Sequence, residues 1–152
     1  VSAFLLNRSS DLAIEVKNQF LLTFPNGMPK GTAQQKRYNS YSRTYFKDKK
    51  LQALEDTFFN ALKPYRPKTP SERPIRLYIL LAFNIKSPRR LWGAWKITKP
   101  DADNYCKTFI DVMTRSGFWN DDAQIASLKI EKTYAESASI FVRWEELEDR
   151  PT

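Results

Sequence analysis

Between Lys99 and Asp122, within 24 residues, five aspartates (Asp101, Asp103, Asp111, Asp121 and Asp122) stand with Lys107 among them in a chain of net charge +8. Pro100 and Gly117 bracket the stretch, and these residue types favour the first turn and the far end of a helix respectively. A helix over Asp103–Met113 is therefore predicted, opening at Pro100 or Asp101, with Asp101 near its N-cap and Phe109, Ile110 and Met113 turned inward. Asp103, Lys107 and Asp111 follow at steps of four and stack along one face. Gly117 lets the chain leave the helix. Phe118 and Trp119 then anchor a return that brings Asp121 or Asp122 back towards the acidic end.

Taken singly, each acid has an ordinary reading: a cap, an i,i+4 ion pair with Lys107, a solvated turn. Together they are like charges converging in space, which repel unless a cation joins them. A calcium loop counted from Asp101 fails, because Cys106 stands where glycine is needed and Val112 where a glutamate is needed.

The rest of the composition narrows the chemistry. The chain has no histidine and one cysteine, Cys106. Imidazole-based triads, imidazole zinc sites, cysteine-rich zinc sites and internal disulfides are excluded. A bound metal must be held by oxygens and must be hard: Mg²⁺, Mn²⁺ or Ca²⁺. No apolar run approaches the ~18 residues of a membrane span. The opening Val1–Leu6 lacks the basic start of a signal peptide, so a soluble, cytoplasmic protein is expected.

The positive charge is concentrated. Residues 30–99 hold 17 Lys and Arg against four Asp and Glu, residues 1–29 balance, and residues 100–152 are net acidic. A field of this kind suits a polyanion, nucleic acid before an anionic membrane surface or plain solvation. Lys30, Lys36, Arg37 and Arg43, interleaved with Tyr38 and Tyr41, form a basic arm over residues 30–46 that can meet phosphates and stack on unpaired bases. Lys86, Arg89, Arg90, Lys96 and Lys99 form a second rim near the acids, with Trp92 and Trp95 in the same loop. One of these tryptophans is expected to pack beneath the loop.

With 152 residues, 41% of them apolar, the chain suits one core and one domain. A strand is predicted within residues 12–24 and a helix over Lys47–Leu62, where Leu51, Leu54, Phe58, Phe59 and Leu62 make one apolar face. A central strand follows over Ile75–Ile85, then the acid-bearing helix, a strand over Ala123–Tyr134, and its hairpin partner over Ser139–Trp144. The order β-α-β-α-β-β predicts a single α+β domain: a mixed four-stranded sheet with two main helices on it. Its core spans about residues 14–144, and residues 1–11 and 145–152 are expected to fray as tails.

Carboxylates that hold Mg²⁺, with a lysine able to donate to a phosphate oxygen, form a set suited to phosphodiester hydrolysis. At these residues the sequence resembles the RusA family of Holliday-junction resolvases. Lys-Pro-Asp-x-Asp-Asn-x-x-Lys-x-x-x-Asp, followed by Gly-Phe-Trp-x-Asp-Asp-x-Gln-Ile, runs from Lys99 to Ile125. A weaker echo lies at Met28-Pro29-Lys30-Gly31 and Arg43-Thr44-Tyr45. The resemblance implies a homodimeric endonuclease that cuts four-way DNA junctions symmetrically with Mg²⁺ or Mn²⁺, without a small-molecule cofactor, in recombination and repair, and often of phage or prophage origin. It implies Asp101, Asp103, Lys107 and Asp122 as catalytic, with Asp101, Asp103, Asp122 and the neighbouring Asp121 around the metal; Asp111 matches a further acidic position. Two alternatives remain open at this point: a non-catalytic basic DNA-binding module, and a general nuclease of branched DNA, flaps or RNA.

Overall fold

The computed structural model describes residues 18–31, 36–39, 44–47 and 49–151. Expectations for the first tail, for Arg43 and for Tyr41 lie outside these residues, as do the side chains of Lys36, Arg37 and Tyr38. The elements are β1 (Gln19–Phe24), β2 (Lys36–Asn39), β3 (Thr44–Lys47), α1 (Lys49–Leu62), β4 (Ile75–Asn84), α2 (Ala102–Arg115), β5 (Ile125–Ala135) and β6 (Ala138–Glu146), with 3₁₀ turns at Lys63–Tyr65, Arg89–Leu91 and Asp122–Gln124.

Strand β4 shows why the sheet forms. Ile75, Leu77, Ile79 and Leu81 alternate inward and are fully buried, while Arg76 and Tyr78 point to the other face. The main sheet runs β1-β6-β4-β5, with β4 and β5 parallel and the other pairs antiparallel. This is the mixed four-stranded α+β sheet with two helices that the sequence predicts. Both helices lie on the face carrying those β4 residues. Leu54, Phe58 and Leu62 of α1 and Tyr105, Phe109, Val112 and Met113 of α2 share one core with β4, β6 and β1. Phe58 sets its ring edge-on to Phe109 (5.1 Å) and Tyr105 (5.8 Å), which locks the two helices together.

Two expectations need correction. Strand β6 is not the hairpin partner of β5. After Glu136 and Ser137 the chain passes over the end of β4 and pairs on its far side, from Ile75↔Glu146 to Ala82↔Ser139. The short connection made a hairpin the economical reading, but β4 is the more apolar strand and is stabilised by a neighbour on each side. Within the basic arm lies a two-stranded antiparallel ribbon, β2 with β3, in the register Lys36↔Lys47 to Asn39↔Thr44. Residues 145–149 are held rather than frayed. Glu145 and Glu146 end β6, Leu147 N–H donates to Pro74 O, and Arg73 reaches both Leu147 O and Asp149.

Two local devices aim the acid segment. Gly117, at φ +91°, ends α2 in a left-handed turn. Phe118 N–H reaches back to Met113 O and Gly117 N–H to Thr114 O, the double bond of a Schellman cap. Trp119, buried, then donates from Nε1 to Thr114 Oγ1 at 2.8 Å. The chain turns there and delivers Asn120–Asp122 beside the helix. The loop after β4 also has a fixed course. Gly93 and Lys96 donate to β5 carbonyls at Tyr134 and Lys132, and Tyr134 donates back to Ala94 O, so residues 93–96 run along the upper edge of β5.

Candidate active site

The acids divide into two groups on either flank of the first turn of α2. On one flank Asp103 and Lys107 of α2 meet Asp122 across a cleft of about 300 Å³. Its floor is apolar: Ile110 from the helix, and Ile125, Leu128 and Ile130 from β5. Among the described residues, the side chains of Asp103 and Lys107 make no hydrogen bond or ion pair, although the i,i+4 spacing allows one. Both are exposed, and both are free to meet a ligand.

Asp122 is held on a rigid turn. Asp121 accepts from Ala123 N–H at 2.8 Å, and Gln124 Oε1 accepts from the N–H groups of Asn120 and Asp121, both at 2.9 Å. This reciprocal arrangement is a capping box. Gln124 also donates from Nε2 to Ser71 O at 2.9 Å and Arg73 O at 3.0 Å, tying the turn to the segment before β4. The Asp122 carboxyl is pushed above its ordinary range, first by a hydrogen bond with Asp121, then by desolvation and the like charges of Asp121 and Asp111. Asp111 pairs with Arg115, whose Nε lies 3.1 Å from it and whose Nη2 lies 3.3 Å from the buried Glu55 of α1.

On the other flank Asp101 holds the N-cap position but does not cap with its side chain. Its carboxylate accepts instead from Lys99 Nζ at 2.9 Å and Asn104 Nδ2 at 3.4 Å. Lys99, by hydrogen bond and charge, holds its pKa below the ordinary value. The stretch before α2 is fixed from below by Lys132 of β5, which donates to the carbonyls of Thr98 and Pro100. Asp101 faces a larger pocket of about 840 Å³ with Lys30, Lys96 and Lys99 around it. Three of the sequence-predicted DNA-binding lysines therefore converge there. Arg89 and Arg90 stand exposed on a 3₁₀ turn, with the Arg89 guanidinium over the Trp92 ring. Trp92 packs and donates to Ile85 O at 2.9 Å, whereas Trp95 is 64% exposed.

The expected single cluster is thus not assembled as four acids. Among the described residues no three carboxylates or thiols come together closely enough to hold a metal. Asp103 and Asp122 share the cleft with Lys107, Asp121 supports Asp122, and Asp101 belongs to the neighbouring pocket. A pair of hard carboxylate oxygens at an open cleft still suits Mg²⁺, which is commonly bound through one or two carboxylates and otherwise keeps water or phosphate oxygens. Sequence reasoning gave Gln124 no role, although its place three residues after Asp121 is the spacing of a capping box. Lys132 carried no local signal.

The α+β domain thus has a β-α-β crossover that carries carboxylates and an unengaged lysine beside a lysine-rimmed pocket. Residues 26–145 match the family model described as Endodeoxyribonuclease RusA. The chain belongs to that family. It is 35% identical over 77 residues to a protein of Lactococcus phage r1t named "Crossover junction endodeoxyribonuclease rusA", a match covering 49% of this chain and 58% of the phage protein. The chain therefore spans little more than half the length of that relative. No helix among the described residues is long and apolar enough to cross a membrane.

Proposed function

We propose that this chain is a metal-dependent endodeoxyribonuclease that cuts four-way DNA junctions. The observation that carries the reading is the shared cleft of Asp103, Lys107 and Asp122, formed by the motif segment of a chain in the RusA family. The phage relative's name supplies the substrate class. Asp103 and Asp122 are the residues that would hold Mg²⁺, or Mn²⁺ in its place. Such an ion supplies positive charge at the phosphate and a more acidic bound water. Lys107, with no partner of its own, donates to a non-bridging or leaving oxygen of the scissile phosphate, where it opposes the charge that develops. Asp122 enters this role ionised, and a cation removes the like-charge cost that now raises its pKa. Lys30, Lys96 and Lys99, with Arg89 and Arg90, hold flanking phosphates, so binding weakens steeply with salt.

Symmetric cutting of a junction needs two such clefts, so the working form is a homodimer. The reading places the protein in DNA recombination and repair.

The test is a labelled synthetic four-way junction incubated with the protein, with and without Mg²⁺, beside Asp103→Asn. Paired nicks that require the metal and vanish in the variant, while junction binding persists, are the expected result. Binding without cutting in Mg²⁺ or Mn²⁺ overturns catalysis and leaves a DNA-binding module. Equal cutting of flaps, linear duplex or RNA overturns junction selectivity.

A further inference from the structure

The second pocket has a composition that phosphate binding alone does not require. It lies at the carboxyl ends of the parallel strands β4 and β5, on the opposite flank of the first α2 turn from the acid cleft. At about 840 Å³ it falls within the size range of small-molecule sites. Phe83 of β4, Tyr105 of α2 and Tyr134 of β5 contribute aromatic walls. Asn84 and Asn104 each contribute an amide that is only partly engaged. Asn84 Oδ1 accepts from Met28 N–H, leaving its NH₂, and Asn104 uses Nδ2 on Asp101, leaving its carbonyl oxygen. The walls thus offer one donor and one acceptor beside aromatic rings. The charge is net positive, because Lys30, Lys96 and Lys99 face the single carboxylate of Asp101.

Lys96 shows what the rings are placed to hold. Its ammonium lies 5.3 Å from the Phe83 centroid and 4.9 Å from that of Tyr134, and its own hydrogen bond goes to Thr98 Oγ1. It fills space between two π faces on a flexible stem and can swing outward to a phosphate.

We infer that this pocket seats one unpaired nucleobase of the DNA strand being cut, stacked against Tyr134, with its phosphate on Lys96 and Lys30. Among ligand classes, a nucleotide combines a flat ring, an edge with both donors and acceptors, and an anionic group. The inference rests on the reading of the chain as a junction nuclease and names what that site grips next to the scissile phosphate. Asp101 and Asp103 are two residues apart on one helix turn, so the base pocket and the acid cleft serve adjacent parts of one strand.

The test uses metal-free binding to four-way junctions that carry one extra, unpaired thymidine at each position flanking the branch in turn. Each is matched with a junction in which that nucleotide is an abasic analogue. At one position the base should tighten binding by about 5- to 150-fold, the range of a single base–aromatic stack. Tyr134→Leu, which keeps an apolar wall, should abolish that difference, and Tyr134→Phe should restore it. Equal binding with and without the base at every position, or a preference unchanged in a folded Tyr134→Leu protein, overturns the inference while leaving junction cutting intact. Failure to bind any junction overturns both.

Discussion

Asp101 and Asp122 are the same residue type on two flanks of one helix turn, and their surroundings act on them in opposite directions. Lys99 and Asn104 satisfy Asp101, and its pKa is lowered. Asp122 faces Asp121 and Asp111, and its pKa is raised. One flank is already neutralised by the protein; the other is left with surplus negative charge beside an unengaged lysine. A side chain paired internally contributes to the fold, whereas a cluster left short of positive charge gives up stability until something cationic arrives. Charge satisfaction, more than acid count, therefore separates the two flanks, and the unsatisfied one is the flank proposed to react.

The largest way to break this contrast is to remove charges one flank at a time. Asp103→Asn or Lys107→Ala should lower junction cutting by on the order of 10²- to 10³-fold with binding nearly intact. Lys99→Ala should affect binding and its salt slope more than the chemical step. Single-turnover rates and filter-binding isotherms check this; equal rate losses on both flanks would erase the distinction.

Next comes Gln124→Ala. It removes four hydrogen bonds around the acid turn and leaves the Ser71 and Arg73 carbonyls without their donor. A loss of about 2–3 kcal/mol in denaturant unfolding is expected, together with slower cutting because Asp122 is no longer held. Unchanged cutting in that variant would mean the turn needs no such support.

A smaller but sharper test follows the protons. Carboxyl NMR titration should place Asp122 above and Asp101 below the ordinary aspartate value. Asp101 adds stability above its unfolded pKa, and this is lost as pH falls through the lowered one. Asp122 runs the other way, with stability declining as pH rises from the unfolded value to the raised one. Mg²⁺ should bring the Asp122 pKa down and leave Asp101 unmoved. A metal-induced shift at Asp101 instead would assign the ion to the other flank.

The smallest effect is expected from Lys99→Ala on the fold itself. The Asp101 pKa should move back up, while the melting temperature stays within error, since an exposed ion pair adds little.

Much of this arrangement is legible in the chain. Both helices follow from apolar residues at three- and four-residue spacing, and Gly117 followed by Phe118 and Trp119 signals the cap and return that carry Asp122 to Asp103. The parts that escape are decided at a distance. Whether Asp101 caps α2 or turns to Lys99 depends on how the Thr98–Pro100 segment lies, and Lys132, 32 residues further on, holds the Pro100 carbonyl. Strand alternation likewise shows that β5 and β6 are strands without naming their partners, and two connecting residues suit a hairpin as well as a step across the end of β4.

That step across β4 has a consequence for how the molecule opens. Because β6 pairs on the far side, β5 has a full strand neighbour only in β4, residues 93–96 cover just its upper edge, and no residue of β5 is fully buried. The lower half of β5 is therefore an edge with no fully buried side chain to lose by detaching, and it is also the floor of the acid cleft. Its amides should exchange with solvent deuterium well before those of β4 and β6. On the proposed reading, a DNA strand bridging α2 and β5 would raise the free energy of that local opening by the amount its binding favours the attached form.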